Sequence, residues 1–226
     1  MTPGIRFPSI LLLFFGGLFA ALFAAFACFA AGASRFTTEW LSAFVNDGYW
    51  IAGYQVLAHE RDWLDLRARF AEVPGKALLQ AAGAALALMA FFLSVVAILH
   101  GFGVELKEIE TLGLLNGGPK TLPLVFLLIV FLAPAAEELL CRGLLLDWLR
   151  QRLSIAAAIA ISGLVFGLLH GVSIHSGTIG WLQFSYRVVL GLISGVFAVR
   201  YRSLLPSFVL HAVNNCMVVI AASQLK

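Results

Sequence analysis

The stretch APAAEELLCRG, Ala133–Gly143, lies inside an oily run: TLPLVFLLIVFL (Thr121–Leu132) precedes it and LLLDWL (Leu144–Leu149) follows. Its surroundings read as a membrane helix, yet it carries Glu137, Glu138 and Arg142 near the middle. Asp, Lys or Arg at bilayer depth costs about 2.5–3.5 kcal/mol on insertion scales, so such groups need partners. Glu138 and Arg142 are four apart, neighbours on one helix face, and can form an internal ion pair. Glu137 points about 100° away and cannot share that partner so easily, which leaves it free to face something else. Pro134, just upstream, removes one backbone hydrogen bond and can kink the helix.

The rest of the chain supports a membrane setting. Of 226 residues, 61% are hydrophobic and only 12% charged, about half the charge of a soluble domain. The expectation is an all-α, polytopic transmembrane bundle. Six apolar segments approach the roughly 20 residues a spanning helix needs. They are Pro8–Ala33, Ala77–Val104, Leu122–Leu149, Leu153–Gly171, Trp181–Val199 and Leu204–Ala222. The first exceeds the 7–15 apolar residues of a signal-peptide core and reads as a retained anchor. Residues 34–76 mix aromatics with charge; the later half reads as an interfacial amphipathic helix, while 40–58 can dip into the membrane or span it. The span count is therefore six to seven. Residues 105–120 form a polar connector with a Gly-Gly-Pro break.

Lys and Arg set the orientation. Arg61, Arg67, Arg69 and Lys76, then Arg150 and Arg152, then Arg200 and Arg202 fall in loops that alternate correctly if all are cytoplasmic. The connectors at 105–120 and 172–180 are then outside, as are both termini with six spans; a seventh span moves the N-terminus inside. Net charge +3 without a basic, aromatic-interleaved patch argues against nucleic acid. Cys28, Cys141 and Cys216, an odd number in apolar segments, read as buried, inert thiols. Gly163, Gly167 and Gly171 in the fourth segment, and Gly191 and Gly195 in the fifth, form small-residue stripes suited to close helix packing.

Further polar groups lie in the apolar segments. FGLLH places Phe166 and His170 one turn apart, and HAVNN does the same for His211 and Asn215, with Asn214 beside them. Singly, each has a structural explanation as interhelical glue or a satisfied buried pair. Jointly, a spare carboxylate, two imidazoles and a carboxamide on separate helices are a costly set to bury for packing alone. Peptide hydrolysis needs a base for water, a group that holds that water, and donors for the developing oxyanion. Glu137 can be the base, His170 can orient the water or share its proton, and His211 and Asn215 can donate to the oxyanion. Counted along the segments, His211 lies about 12 Å and His170 about 26 Å from the cytoplasmic end, so tilt, a kink or shifted boundaries must bring them together.

EELLCR, FGLLH and HAVNN match E-E-x-x-x-R, F-x-x-x-H and H-x-x-x-N, in that order. On these motifs, residues 122–222 resemble the type II CAAX prenyl protease and bacteriocin-processing family, also called the CPBP or Abi family of intramembrane glutamic endopeptidases. The resemblance implies a helical bundle with a conical cavity, Glu137 as the water-activating glutamate and His170 as its partner. It further implies an oxyanion role for His211 and Asn215, support from Glu138 and Arg142, and a cavity shaped in part by Phe166. It divides the chain into N-terminal membrane segments with an interfacial loop, 1–120, and a catalytic helical core, 121–224.

The expected activity is hydrolysis of a peptide bond in a membrane-tethered peptide or protein, prenylated or bearing a C-terminal sorting signal, within a bacterial cell membrane. No cofactor is expected. Glutamate and two histidines can also bind zinc, but H-E-x-x-H is absent, so zinc stands as the alternative mechanism. A non-catalytic immunity or assembly protein is the alternative function. A transporter needs a continuous polar route, and the first two segments hold almost no polar residues. His59, His100 and His175 read as solvated, Trp148 and Trp181 as interface anchors, and Arg187 has no assigned role. The sequence leaves the oligomeric state open.

Overall fold

The structure, a computed structural model, describes residues 7–59, 66–104, 118–171 and 177–224. Its seven long helices are α1 Phe7–Ala30, α2 Arg35–His59, α4 Gly75–Gly101, α5 Leu122–Arg150, α6 Ile155–Leu169, α7 Gly177–Tyr201 and α8 Leu205–Gln224; a single turn, α3 Leu66–Arg69, follows α2. There is no strand among the described residues. The expected interfacial helix falls partly on residues 60–65, and the polar connectors largely on 105–117 and 172–176. These stretches lie outside the described residues, as does His175 and the side chain of His59; His100 is exposed.

Every predicted apolar segment is a helix, but not every one has spanning length. Four helices, α1, α4, α5 and α7, are long and apolar enough to cross a membrane. The fourth segment is shorter than expected, Ile155–Leu169, whereas α8 runs the full 20 residues Leu205–Gln224 and is apolar over Leu205–Ala221. Residues 40–58 lie within one 25-residue helix, α2. The outward faces are oily: Phe19, Phe23 and Phe29 on α1 are 70%, 75% and 80% exposed. Apolar side chains left outside at this density suit lipid rather than water. The chain is an integral membrane protein.

A turn at Gly32, with φ 69, lets α1 and α2 pack as an antiparallel hairpin. α2 lies against α5, α4 lies along α8, and α6 pairs with α7. The main core draws Ile10, Leu13, Trp50 and Tyr54 from the first hairpin, Ala81 and Ala85 from α4, and Leu139–Leu146 from α5. α5 is the central element, and Cys141 and Arg142 within it are essentially inaccessible. Cys28 and Cys141 are buried free thiols, as expected, whereas Cys216 is only partly buried.

Pro134 does not break α5. The helix widens to π geometry over Leu127–Leu132 and again over Leu139–Leu146. In a π turn the carbonyl of residue i pairs with the N–H of i+5. For Ile129 that residue is Pro134, which has no N–H. The side chain of Asn215 on α8 supplies the missing donor, Nδ2 to Ile129 O at 2.9 Å. In the second widened stretch, Ser162 on α6 donates to Cys141 O at 2.9 Å. Neighbouring helices thus satisfy the backbone groups that the irregular turns release.

The two glycine stripes meet. A Cβ on Gly191 would stand 2.9 Å from Gly163 Cα and 3.0 Å from its carbonyl oxygen, and a Cβ on Gly163 would stand 3.0 Å from Leu192 N. α6 and α7 therefore touch backbone to backbone. Gly171 is not part of this stripe: its φ of 74 and open surroundings make it the residue that ends α6 just after His170.

Candidate active site

Three helices converge on the middle of α5. His170 caps the C-terminal end of α6, where Gly171 turns the chain away. Its ring Nδ1 lies 2.9 Å from Phe166 O, one turn back. A carbonyl only accepts, so Nδ1 carries the proton in that bond, and Nε2 of the neutral ring is left as an acceptor. That Nε2 lies 3.5 Å from Glu137 Oε2.

His211 sits on the first turns of α8 and is 2% exposed. Its Nδ1 lies 3.2 Å from Glu138 Oε1, and its Nε2 lies 3.8 Å from Glu137 Oε2. The ring therefore stands between the two glutamates. The same Glu138 oxygen takes a 3.0 Å hydrogen bond from Arg142 Nη1, the ion pair the four-residue spacing predicts. Arg142 Nη2 donates to Gly191 O at 2.9 Å. Arg142 also lies over the Phe166 ring, 4.5 Å from its centroid, and Phe166 meets the rings of His170 and His211 at 4.7 and 5.3 Å. Phe166, 1% exposed, is the apolar post around which both imidazoles and the guanidinium are arranged.

The depth mismatch between the histidines resolves at the start of α8. That helix does not begin at the surface of the bundle. Arg202 adopts φ 51, after which Ser203 and Leu204 turn inward and are 3% and 2% exposed. Leu204 N donates to Arg69 O at 2.7 Å and Ser203 Oγ to Ala71 O at 2.8 Å, which holds the turn inside. α6 meanwhile is only 15 residues long, so its end reaches the level of Glu137 rather than the far face.

Asn215 and Asn214 belong to the same region through different contacts. Asn215 donates to Ile129 O and accepts from Asn214 Nδ2 at 3.0 Å, while the Tyr186 hydroxyl bonds Asn214 Oδ1. One N–H of the Asn215 amide remains for another acceptor. Two charged residues without an assigned role also reach this neighbourhood electrostatically. Asp47 on α2, 4% exposed and bonded by Asn46 Nδ2 at 3.1 Å, and Arg187 on α7 both interact with the Glu137 charge. Asp47 was not singled out by sequence because its helix mixes polar and apolar residues all round. A buried Asp is legible there only once α2 is seen to pack on α5.

Glu138 Oε2 is buried without a hydrogen-bond donor among the described residues, and Glu137 Oε2 is placed alike. The two nearest side-chain nitrogens face it with Nε2 while their Nδ1 sides are held elsewhere. The side chain of Glu137 is 16% exposed and that of His170 is 28% exposed, so one flank of the cluster is reachable. Among the described residues, no group of three His, Cys, Asp or Glu is spaced to hold a metal ion.

Residues 119–217 match the family model Rce1-like, type II CAAX prenyl endopeptidase Rce1-like, and this match supports an intramembrane protease. The matched stretch holds α5 through most of α8, including Glu137, His170, His211 and Asn215. No curated protein and no solved structure matches the chain.

Proposed function

We propose that the protein is an endopeptidase that hydrolyses a peptide bond of a membrane-associated protein with a water activated by Glu137. The observation that carries this reading is the orphaned Glu137 Oε2 facing His170 Nε2 at 3.5 Å. With Nδ1–H on Phe166 O, both facing atoms are acceptors, and two acceptors this close call for a donor between them. A water supplies one O–H to each. Its oxygen lone pair is then directed away from both and toward an incoming carbonyl.

In the step we propose, the water oxygen bonds to the scissile carbonyl carbon as Glu137 takes its proton. The negative charge moves to the former carbonyl oxygen, where His211 Nε2, when protonated, and the second N–H of Asn215 are the candidate donors. Collapse breaks the C–N bond, and the Glu137 proton passes to the leaving nitrogen. Glu138 and Arg142 keep His211 in place, and Phe166 packs the rings. The substrate class we favour is a membrane-tethered protein cut near its C-terminus, prenylated or carrying a sorting signal, in a bacterial cell membrane that the chain crosses several times.

Zinc is the second reading on the chemistry of the donors alone: two imidazole nitrogens and a carboxylate oxygen are of the type zinc takes, although among the described residues they are not spaced to hold an ion. The test is cleavage by purified protein in detergent on a panel of prenylated and unprenylated peptides. Wild type, Glu137→Gln and Glu138→Gln are compared, with and without a chelator. Loss of activity in Glu137→Gln with indifference to chelator is expected. Loss on chelation moves the mechanism to zinc, and a cellular phenotype that survives Glu137→Gln moves the function to a non-catalytic one.

A further inference from the structure

At the end of the bundle where α5 and α7 finish, a second polar site reaches Arg142. A cavity of about 260 Å³ is bounded there by Arg69, Arg142, Asp147, Arg150, Arg202 and Ser203, with apolar side chains completing the wall. One water needs only about 10–15 Å³, so the space takes a polyatomic group. The wall carries four guanidinium groups and, among the described residues, one carboxylate. Asp147 is shared by Arg69 at 2.5 Å and Arg150 at 3.4 Å. Arg142 reaches the cavity from the core, 1% exposed, and its Nε has no acceptor among the described residues. Arg202 stands at the exposed rim.

These four arginines come from four separate parts of the chain: the turn after α2, the middle of α5, its last turn, and the α7–α8 turn. Three of those places are the Lys/Arg-rich loops that the charge bias assigns to the cytoplasmic side. Arginine loops that merely marked orientation would not need to line one pocket whose base is a buried guanidinium. We propose that this cavity binds a phosphate group, with Arg142 at its base and Arg150 and Arg202 at its rim. Guanidinium forks match phosphate oxygens bidentately; Arg142, paired with Glu138 through Nη1, keeps a buried Nε without an acceptor among the described residues, and Arg202 adds a charge at the rim. A phospholipid headgroup at the membrane surface and free inorganic phosphate share this chemistry.

The test uses the full chain in neutral detergent and reads the unfolding temperature by tryptophan fluorescence. Micelles are doped with phosphatidylglycerol or with zwitterionic phosphatidylcholine, and inorganic phosphate is titrated separately against chloride at equal ionic strength. A ligand that binds only the folded state raises the midpoint, here by about 2–4 °C for each ~1 kcal/mol of linkage. The expected result is a rise with phosphatidylglycerol over phosphatidylcholine that disappears in Arg150→Gln/Arg202→Asn. Asn keeps the left-handed backbone at 202 accessible, and the Arg150–Asp147 pair is partly exposed, so both changes leave the fold in place. Arg150→Gln alone, with a reduced rise, serves if the double variant is unstable. A rise with inorganic phosphate to the same extent identifies free phosphate as the occupant. No rise with either probe, or a rise undiminished in both variants, overturns the proposal.

Discussion

Asn215 Nδ2 donates to the carbonyl of Ile129 at 2.9 Å, and that carbonyl is the one a π turn would pair with residue 134, a proline. The side chain from α8 thus stands in for a backbone N–H that α5 cannot supply. Asn215 has a structural task before any catalytic one, and Pro134 is the reason. The irregular turn it closes leads directly into Glu137.

Asn215→Ala is therefore expected to lower stability by about 1–3 kcal/mol, the penalty of an unsatisfied buried acceptor. Pro134→Ala in the same chain restores an N–H at 134 and is expected to recover part of that loss. The measurement is a double-mutant cycle on the unfolding midpoint in detergent. Strictly additive effects would show that the two residues are not coupled.

Glu137 and Glu138 are expected to separate function from fold. Glu137→Gln removes the proposed base and lowers kcat by about 10²–10⁴ while the unfolding midpoint stays near wild type. Glu138→Gln leaves Arg142, 1% exposed, without its ionic partner and is expected to destabilise by about 3–5 kcal/mol. Thermal unfolding and cleavage, measured on the same preparations, decide between this split and a shared role.

The glycine contact of α6 and α7 makes a third prediction. Gly191→Ala forces a methyl to within 2.9 Å of Gly163 Cα and is expected to cost about 1–3 kcal/mol. Because Gly191 O also holds Arg142, cleavage should fall as well. Gly83→Ala on α4, where nothing lies within 4 Å, is the control and should be neutral or stabilising. Equal effects at the two sites would contradict the close approach.

If Glu137 works without a metal, prolonged treatment with a chelator leaves the cleavage rate unchanged, and added zinc does not raise it. Metal analysis of the purified protein should then find less than one equivalent. A rate that falls on chelation and returns with zinc would assign the two imidazoles to a metal.

What the sequence by itself determined was local. Apolar runs too long and too poor in charge for a soluble core made the helices. Four-residue spacing made the Glu138–Arg142 pair, and the order of three short motifs pointed to the site. What only the tertiary structure decided was how these pieces meet. Counting 1.5 Å per residue set His170 and His211 at different depths, because it assumed that each segment begins at the membrane face. The inward turn at Ser203 and Leu204, and the early end of α6 at Gly171, are held by contacts with distant residues and removed that difference. Pro134 likewise read as a kink, since nothing local announces that Asn215, 86 residues away, takes its missing bond. Asp47 and the arginine cavity followed the same rule: their partners lie on other helices, and periodicity along one helix does not report which neighbour it packs against.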